Sequence, residues 1–170
     1  SGARIAWDMI RCSSWAVNKP DTPSIVLYVE DRDLWKFQLP HSQEINAALS
    51  SYPKDFMVWD ELEKKDINEL IIEGTAILRY QTQIVDFLVD QADEIEIGGY
   101  KVPVVNSPVL QSEIGNKLAQ GKPFSAVWYQ HRGKRKFSLR STNQGVDVAE
   151  IAQQQGGGGH RCASGFMENV

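Results

Sequence analysis

The stretch that decides how this chain is read is Asp147-Val148-Ala149-Glu150-Ile151-Ala152-Gln153-Gln154-Gln155-Gly156-Gly157-Gly158-Gly159-His160-Arg161. Asp147 with Glu150 three positions on is a capping box, Val148, Ile151 and Ala152 face one side, and Gly156 stops the helix. One glycine is enough to end a helix, so the next three require another reason. A glycine run lets backbone approach a ligand closely and adopt positive φ, so that successive N–H groups converge on an anion. If Cys162 to Ser164 opens a helical turn, its free N–H groups join them, and His160 and Arg161 add donors for phosphate oxygens. The competing reading is a flexible linker. The Cys162-Ala163-Ser164-Gly165-Phe166 that follows reads as packed chain and weakens it.

Working outward, Phe124 to Gln130 and Lys136 to Ser141 read as strands around the turn Arg132-Gly133-Lys134. Glu94 to Ile97 and Lys101 to Val105 flank Gly98-Gly99 as a hairpin. Between them Ser107 caps a helix with Pro108 in its first position and Leu110, Ile114 and Leu118 on one face, ended by Gly121. The order β-β-α-β-β-α predicts an α/β lobe with a mixed sheet. Upstream, Asp66 with Glu69 caps a long helix to about Asp90, with Ile67, Leu70, Ile71, Gly74, Ile77, Leu78, Ile84, Val85 and Leu88 on its apolar stripe. Gly74 on that stripe predicts a close packing contact. Ser42 caps a helix to Leu49, and Pro20 to Pro23 reads as a loop. The uninterrupted run Ile25-Val26-Leu27-Tyr28-Val29 predicts a strand buried on both faces of a parallel sheet. Ser1 to Arg11 reads as a short helix that begins abruptly, as a start inside something larger would.

Composition restricts the classes. Hydrophobic residues at 42% and charged residues at 24% exclude a disordered chain. The longest apolar run is too short to span a bilayer, and no secretory leader opens the chain, so a cytoplasmic setting is expected. Two cysteines, Cys12 and Cys162, form neither a disulfide framework nor a zinc site. A net charge of −4 argues against indiscriminate nucleic-acid binding. Charge is unevenly placed, however. Residues 60–96 carry eleven carboxylates against Lys64, Lys65 and Arg79, which reads as a solvated helical face. Residues 131–161 carry six basic residues against Asp147 and Glu150, the balance of an anion site.

Three further groups of residues are candidates for chemistry. Asp31 and Asp33 follow the apolar run, where carboxylates at strand ends commonly hold Mg²⁺ or Mn²⁺; a loop salt-bridged to Arg32 is the equal alternative. Alternation points Ser138 and Arg140 to one face, and Arg140 beside the glycine run suits a phosphate clamp as well as it suits an exposed strand arginine. Neither a nucleophile elbow nor a Walker motif is present.

Phe137-Ser138-Leu139-Arg140-Ser141, Val146-Asp147-Val148-Ala149-Glu150-Ile151-Ala152, Gly157-Gly158-Gly159-His160 and Ala163-Ser164-Gly165-Phe166 resemble the C-terminal DHH-associated domain of the DHH phosphoesterases. Ser1-Gly2-Ala3 with Trp7, and Tyr28-Val29-Glu30-Asp31-Arg32-Asp33-Leu34-Trp35, are similar to the tail of that family's catalytic domain. The resemblance implies a remnant of the catalytic parallel-sheet domain over 1–54, a helical connector over 55–92 and a substrate-binding domain over 93–170. It implies a substrate set of Arg140, Ser141, Gly157, Gly158, Gly159, His160 and Arg161, with Asp31 as the last metal-binding aspartate.

The chain has no Asp-His-His triplet and no early Asp-x-Asp. It therefore reads as a fragment or truncated homologue of a manganese- or magnesium-dependent phosphoesterase, inactive alone. The implied partners are a nucleotide or short oligonucleotide, the missing catalytic domain and a second copy in a homodimer, with no membrane. The alternative is a non-catalytic nucleic-acid-binding module like the associated domain of alanyl-tRNA synthetases.

Overall fold

The computed structural model describes residues 1–12 and 21–169. The Pro20 end of the expected loop lies outside them. The chain forms two compact units, Ser1–Tyr80 and Gln81–Val170.

The first unit is helical: α1 (Gly2–Cys12), α2 (Ser24–Asp33), α3 (Ser42–Ser51), α4 (Phe56–Lys64) and most of α5 (Ile67–Val89). Its core joins Ile25, Ile45, Ala48, Leu49, Leu62 and Leu70. The expected strand at Ile25–Val29 is instead the first part of α2. Of the five residues only Ile25 is buried, and Tyr28 and Val29, three and four positions on, pack with it on the same core. That is a helical spacing. The helix start is closed from outside the segment, because the Glu63 carboxylate accepts from the Ser24 and Ile25 N–H groups at 2.8 and 3.0 Å. Gly74 makes the close contact expected of it: a Cβ there would lie 1.7 Å from the Glu44 carbonyl oxygen on α3.

The second unit is the α/β lobe with a mixed sheet. Six strands, β1 (Asp93–Ile97), β2 (Tyr100–Asn106), β3 (Ser125–His131), β4 (Lys134–Arg140), β5 (Gly158–His160) and β6 (Ala163–Asn169), lie in the order β1-β2-β3-β4-β6-β5. Only β2 and β3 pair in parallel. Gly98 and Gly99, both at positive φ, form the two-residue hairpin turn. α7 (Val148–Gln154) covers one face, over Ile97, Val102, Val104, Phe124, Ala126, Phe137, Leu139 and Phe166. α6 (Gln111–Leu118) covers part of the other with the last turns of α5, setting Ile114 and Leu118 over Val105 and Val127.

Two expectations about helix starts and strands are corrected here. α6 begins at Gln111 rather than Pro108, because the Ser107 hydroxyl closes a local turn with Val109 and Leu110 takes a left-handed φ of 51°. Residues 158–169 form a two-stranded hairpin rather than a loop entering a helical turn at Cys162–Ser164.

Candidate binding face

The site is built by strand register. β4 pairs with β3 on one side and β6 on the other, so same-face residues line up in rows across the sheet. One row is Val127, Ser138, Gly165 and Gly158; the next inward is Ser125, Arg140, Ala163 and His160; the next outward is Tyr129, Lys136 and Met167. These rows lie on the α6 side, since Val127 packs with Ile114 and Leu118. The α7 side of the same strands is the aromatic and aliphatic core.

On this face Gly165 and Gly158 present bare backbone side by side, and basic side chains border them. Ser138 donates to Gln111 Oε1 at 2.9 Å, which fixes the amide at the start of α6. Arg140 donates to Ser112 Oγ and to its neighbour's carbonyl on Leu139, both at 2.9 Å, and its stem packs where a Cβ on Gly115 would stand. Burial lowers the Arg140 pKa, with Glu113 acting against that shift. His160 is exposed at the edge. A cavity of about 500 Å³ opens beside this floor, lined among others by Gln111, Tyr129, Lys134, Lys136, Ser138 and Gly165.

The glycines divide by job. The Gly156 and Gly157 N–H groups donate to the Gln153 and Ala152 carbonyls and finish α7, so they are not directed at an anion. Gly157 also has no room for a side chain: a Cβ would lie 2.1 Å from the Gly165 oxygen. Gly159 has φ 148° and stands 2.5 Å, from its would-be Cβ, to Ser164 Cα. Gly158 alone of the three has open space where a side chain would project.

The other anticipated residues are placed elsewhere. Ser141 is 3% exposed, with its hydroxyl on the Pro123 and Thr142 carbonyls and its N–H on the Cys162 carbonyl. Arg161 donates to the Asn143 and Gly145 carbonyls and so ties down the loop before α7. Both are built into the frame of the site rather than its open face. Asp31 sits in α2, not at a strand end. Its two oxygens accept from the Gln38 and Leu39 N–H groups at 3.0 and 3.2 Å. Burial would raise its pKa, but the Ser42 hydroxyl, those two N–H groups and Lys36 hold it below the usual carboxylate range. Among the described residues no three His, Cys, Asp or Glu side chains come together to hold an ion. The donor set therefore does not fit a two-metal centre, which needs several carboxylates or histidines in fixed geometry.

Gln111, Tyr129, Lys134, Lys136 and Gly165 were not anticipated as site residues. The period-two spacing of Lys134, Lys136, Ser138 and Arg140 carried the signal, since alternation alone puts all four on one face of β4.

In structural terms this unit is a small mixed-sheet domain with a glycine-rich edge and an open basic face. Residues 105–169, most of the second unit, match the DHHA1 domain, in keeping with the resemblance to the C-terminal region of the DHH-family phosphoesterases. It is 34% identical over a 176-residue alignment to protein R106 of Acanthamoeba polyphaga mimivirus, covering 98% of this chain and 40% of R106. It is 38% identical over 65 residues to the oligoribonuclease NrnB of Bacillus subtilis, covering 38% of this chain and 16% of NrnB. The solved pGpG-specific phosphodiesterase PggH of Vibrio cholerae aligns over all of this chain and 68% of its own, with 11% identity and a TM-score of 0.48. The chain thus spans well under half the length of the two curated relatives. No helix among the described residues is long and apolar enough to cross a membrane.

Proposed function

We propose that the second unit is the substrate-binding domain of a phosphoesterase that acts on nucleotide phosphates or short oligonucleotides, and that the phosphate rests on the Gly165–Gly158 floor between Arg140 and His160. The observation that carries this reading is the register itself. It sets two adjacent glycines level with one another and an arginine and a histidine one row away on the same face. A floor without side chains lets a ligand reach backbone polar groups, and the outer edge of β5, which no other described strand pairs, offers its N–H groups. Arg140 is pre-set by its bond to Ser112 and retains further N–H donors for phosphate oxygens. The relationship to NrnB, an oligoribonuclease by name, supports the substrate class.

On this reading the chain binds and orients, and the bond-breaking centre lies outside it. The manganese or magnesium that the family resemblance implies is then held by that other part, as the committed oxygens of Asp31 are consistent with. Calorimetric titration with adenosine monophosphate (AMP) tests the proposal. Arg140→Gln keeps the stem against Gly115 but removes the charge, and a charged hydrogen bond contributes roughly 1.5–3 kcal/mol, so affinity should fall about tenfold or more. His160→Ala should weaken binding with no loss of stability, since His160 is exposed. Unchanged AMP affinity in both variants would remove this face from consideration. RNA binding without any affinity for free nucleotides would favour a nucleic-acid-binding module instead.

A further inference from the structure

We propose that Ser112 and Gly115 on α6, with Ser125 on β3, are positioning residues for anion binding: they form a notch that holds the Arg140 side chain in one orientation before a ligand arrives. This rests on the reading of Arg140 as a phosphate contact. Ser112 and Gly115 stand three positions apart, which puts them on one face of the helix, and Arg140 spans both. Its stem occupies the space of a side chain at Gly115, where a Cβ would lie 2.7 Å from Arg140 Cγ and 3.2 Å from Arg140 Cβ. Those atoms are the ones nearest the strand, so they cannot move aside without carrying the guanidinium with them. One turn earlier the Ser112 hydroxyl accepts from Arg140 Nη2 at 2.9 Å, and Nη1 donates to the Leu139 carbonyl at the same distance. Stem and head are thus fixed at separate points. Both acceptors are uncharged, so neither cancels the positive charge that an anion would use.

Ser125 sets the height of the helix over the strand. It pairs with Arg140 in the sheet register, it is fully buried, and its hydroxyl donates to the Gly115 carbonyl at 2.6 Å. Two residues along β4, Ser138 ties down the Gln111 amide in the same manner. Packing of α6 on the sheet is the work of Ile114 and Leu118 against Val105 and Val127, and it needs no hydroxyl at Ser112. What the hydroxyl adds is order at Arg140. A long cationic side chain that must be immobilised when a ligand binds weakens the complex by about three- to tenfold. Here the fold immobilises it beforehand.

The test titrates AMP calorimetrically into the 170-residue chain and its variants, and measures the order parameter of the Arg140 Nε–H by NMR without ligand. Ser112→Ala should weaken AMP about three- to tenfold. It should also lower the order parameter from the rigid range, about 0.85, toward the flexible range below about 0.6. Ser112→Thr restores the hydroxyl and should recover both. Gly115→Ala should weaken AMP about tenfold or more, as Arg140→Gln does, because it displaces the guanidinium; if that variant does not fold, the two Ser112 variants carry the test. In an Arg140→Gln background Ser112→Ala should cause no further loss, whereas a general loosening of α6 would add to it. AMP affinity that falls in Arg140→Gln but not in Ser112→Ala would overturn the notch and leave the phosphate site standing. Equal losses in Ser112→Ala and Ser112→Thr, or an added loss in the Arg140→Gln background, would do the same. Failure of the unaltered chain to bind AMP would overturn both.

Discussion

Substituting the glycines one at a time separates packing from binding, because the three consecutive positions meet different surroundings. Gly157→Ala places a methyl 2.1 Å from the Gly165 oxygen and 2.7 Å from Phe166 Cβ. Neither can withdraw easily, since β6 is hydrogen-bonded between β4 and β5. Overpacking of this kind costs about 1–3 kcal/mol. For a unit the size of Gln81–Val170 each kcal/mol lowers Tm by roughly 4–8 °C, so Gly157→Ala should melt about 5–20 °C lower. Gly159→Ala should be as harmful, with its Cβ 2.5 Å from Ser164 Cα and φ at 148°. Gly158 has open space and no positive φ. Gly158→Val should therefore change stability by no more than about 0.5 kcal/mol while it raises a branched side chain from the floor and abolishes AMP binding. Circular dichroism melts followed by calorimetry on the same samples read both effects. If Gly158→Val melts as low as Gly157→Ala, the register is wrong. If it melts normally and still binds AMP, the floor does not hold the ligand.

Two further predictions concern the helical unit. Gly74→Ala would set a methyl 1.7 Å from the Glu44 carbonyl, so α3 and α5 must part, and the unit should lose about 3 kcal/mol or more; a urea midpoint equal to that of the unaltered chain would contradict the contact. Asp31 has a folded pKa below its unfolded value of about 3.9, so its contribution is present above about pH 4 and is lost as pH falls through the folded value. Asp31→Asn should cost about 1–3 kcal/mol at pH 7 and flatten the acid limb of stability. An Mn²⁺ titration should show no binding that depends on this residue, and saturable binding lost in the Asn variant would restore the metal reading.

What was legible in the sequence was whatever local chemistry decides. Asp147 does accept from the Ala149 N–H at 2.9 Å, Asp66 does accept from the Asn68 N–H, and Gly98-Gly99 does turn the first hairpin. The run Ile25–Val29 misled because β-branched residues favour strands only weakly and in context. Its helix is imposed from a distance, by Glu63 at one end and by a core that takes Ile25, Tyr28 and Val29 along a single stripe. β5 and β6 were missed for the converse reason. Glycine is depleted in strands, yet here its lack of a side chain lets Gly159 and Gly165 bring their strands together and lets Gly157 lie against the Gly165 carbonyl. The family resemblance placed the substrate set on consecutive residues, whereas a strand gives neighbours opposite faces. Ser141 turns into the frame and Gly159 packs on Ser164, while Arg140, His160 and Gly158 share the open side. Consecutive residues can thus belong to one motif and still have different tasks, and the sheet register, not sequence adjacency, decides which of them a ligand can reach.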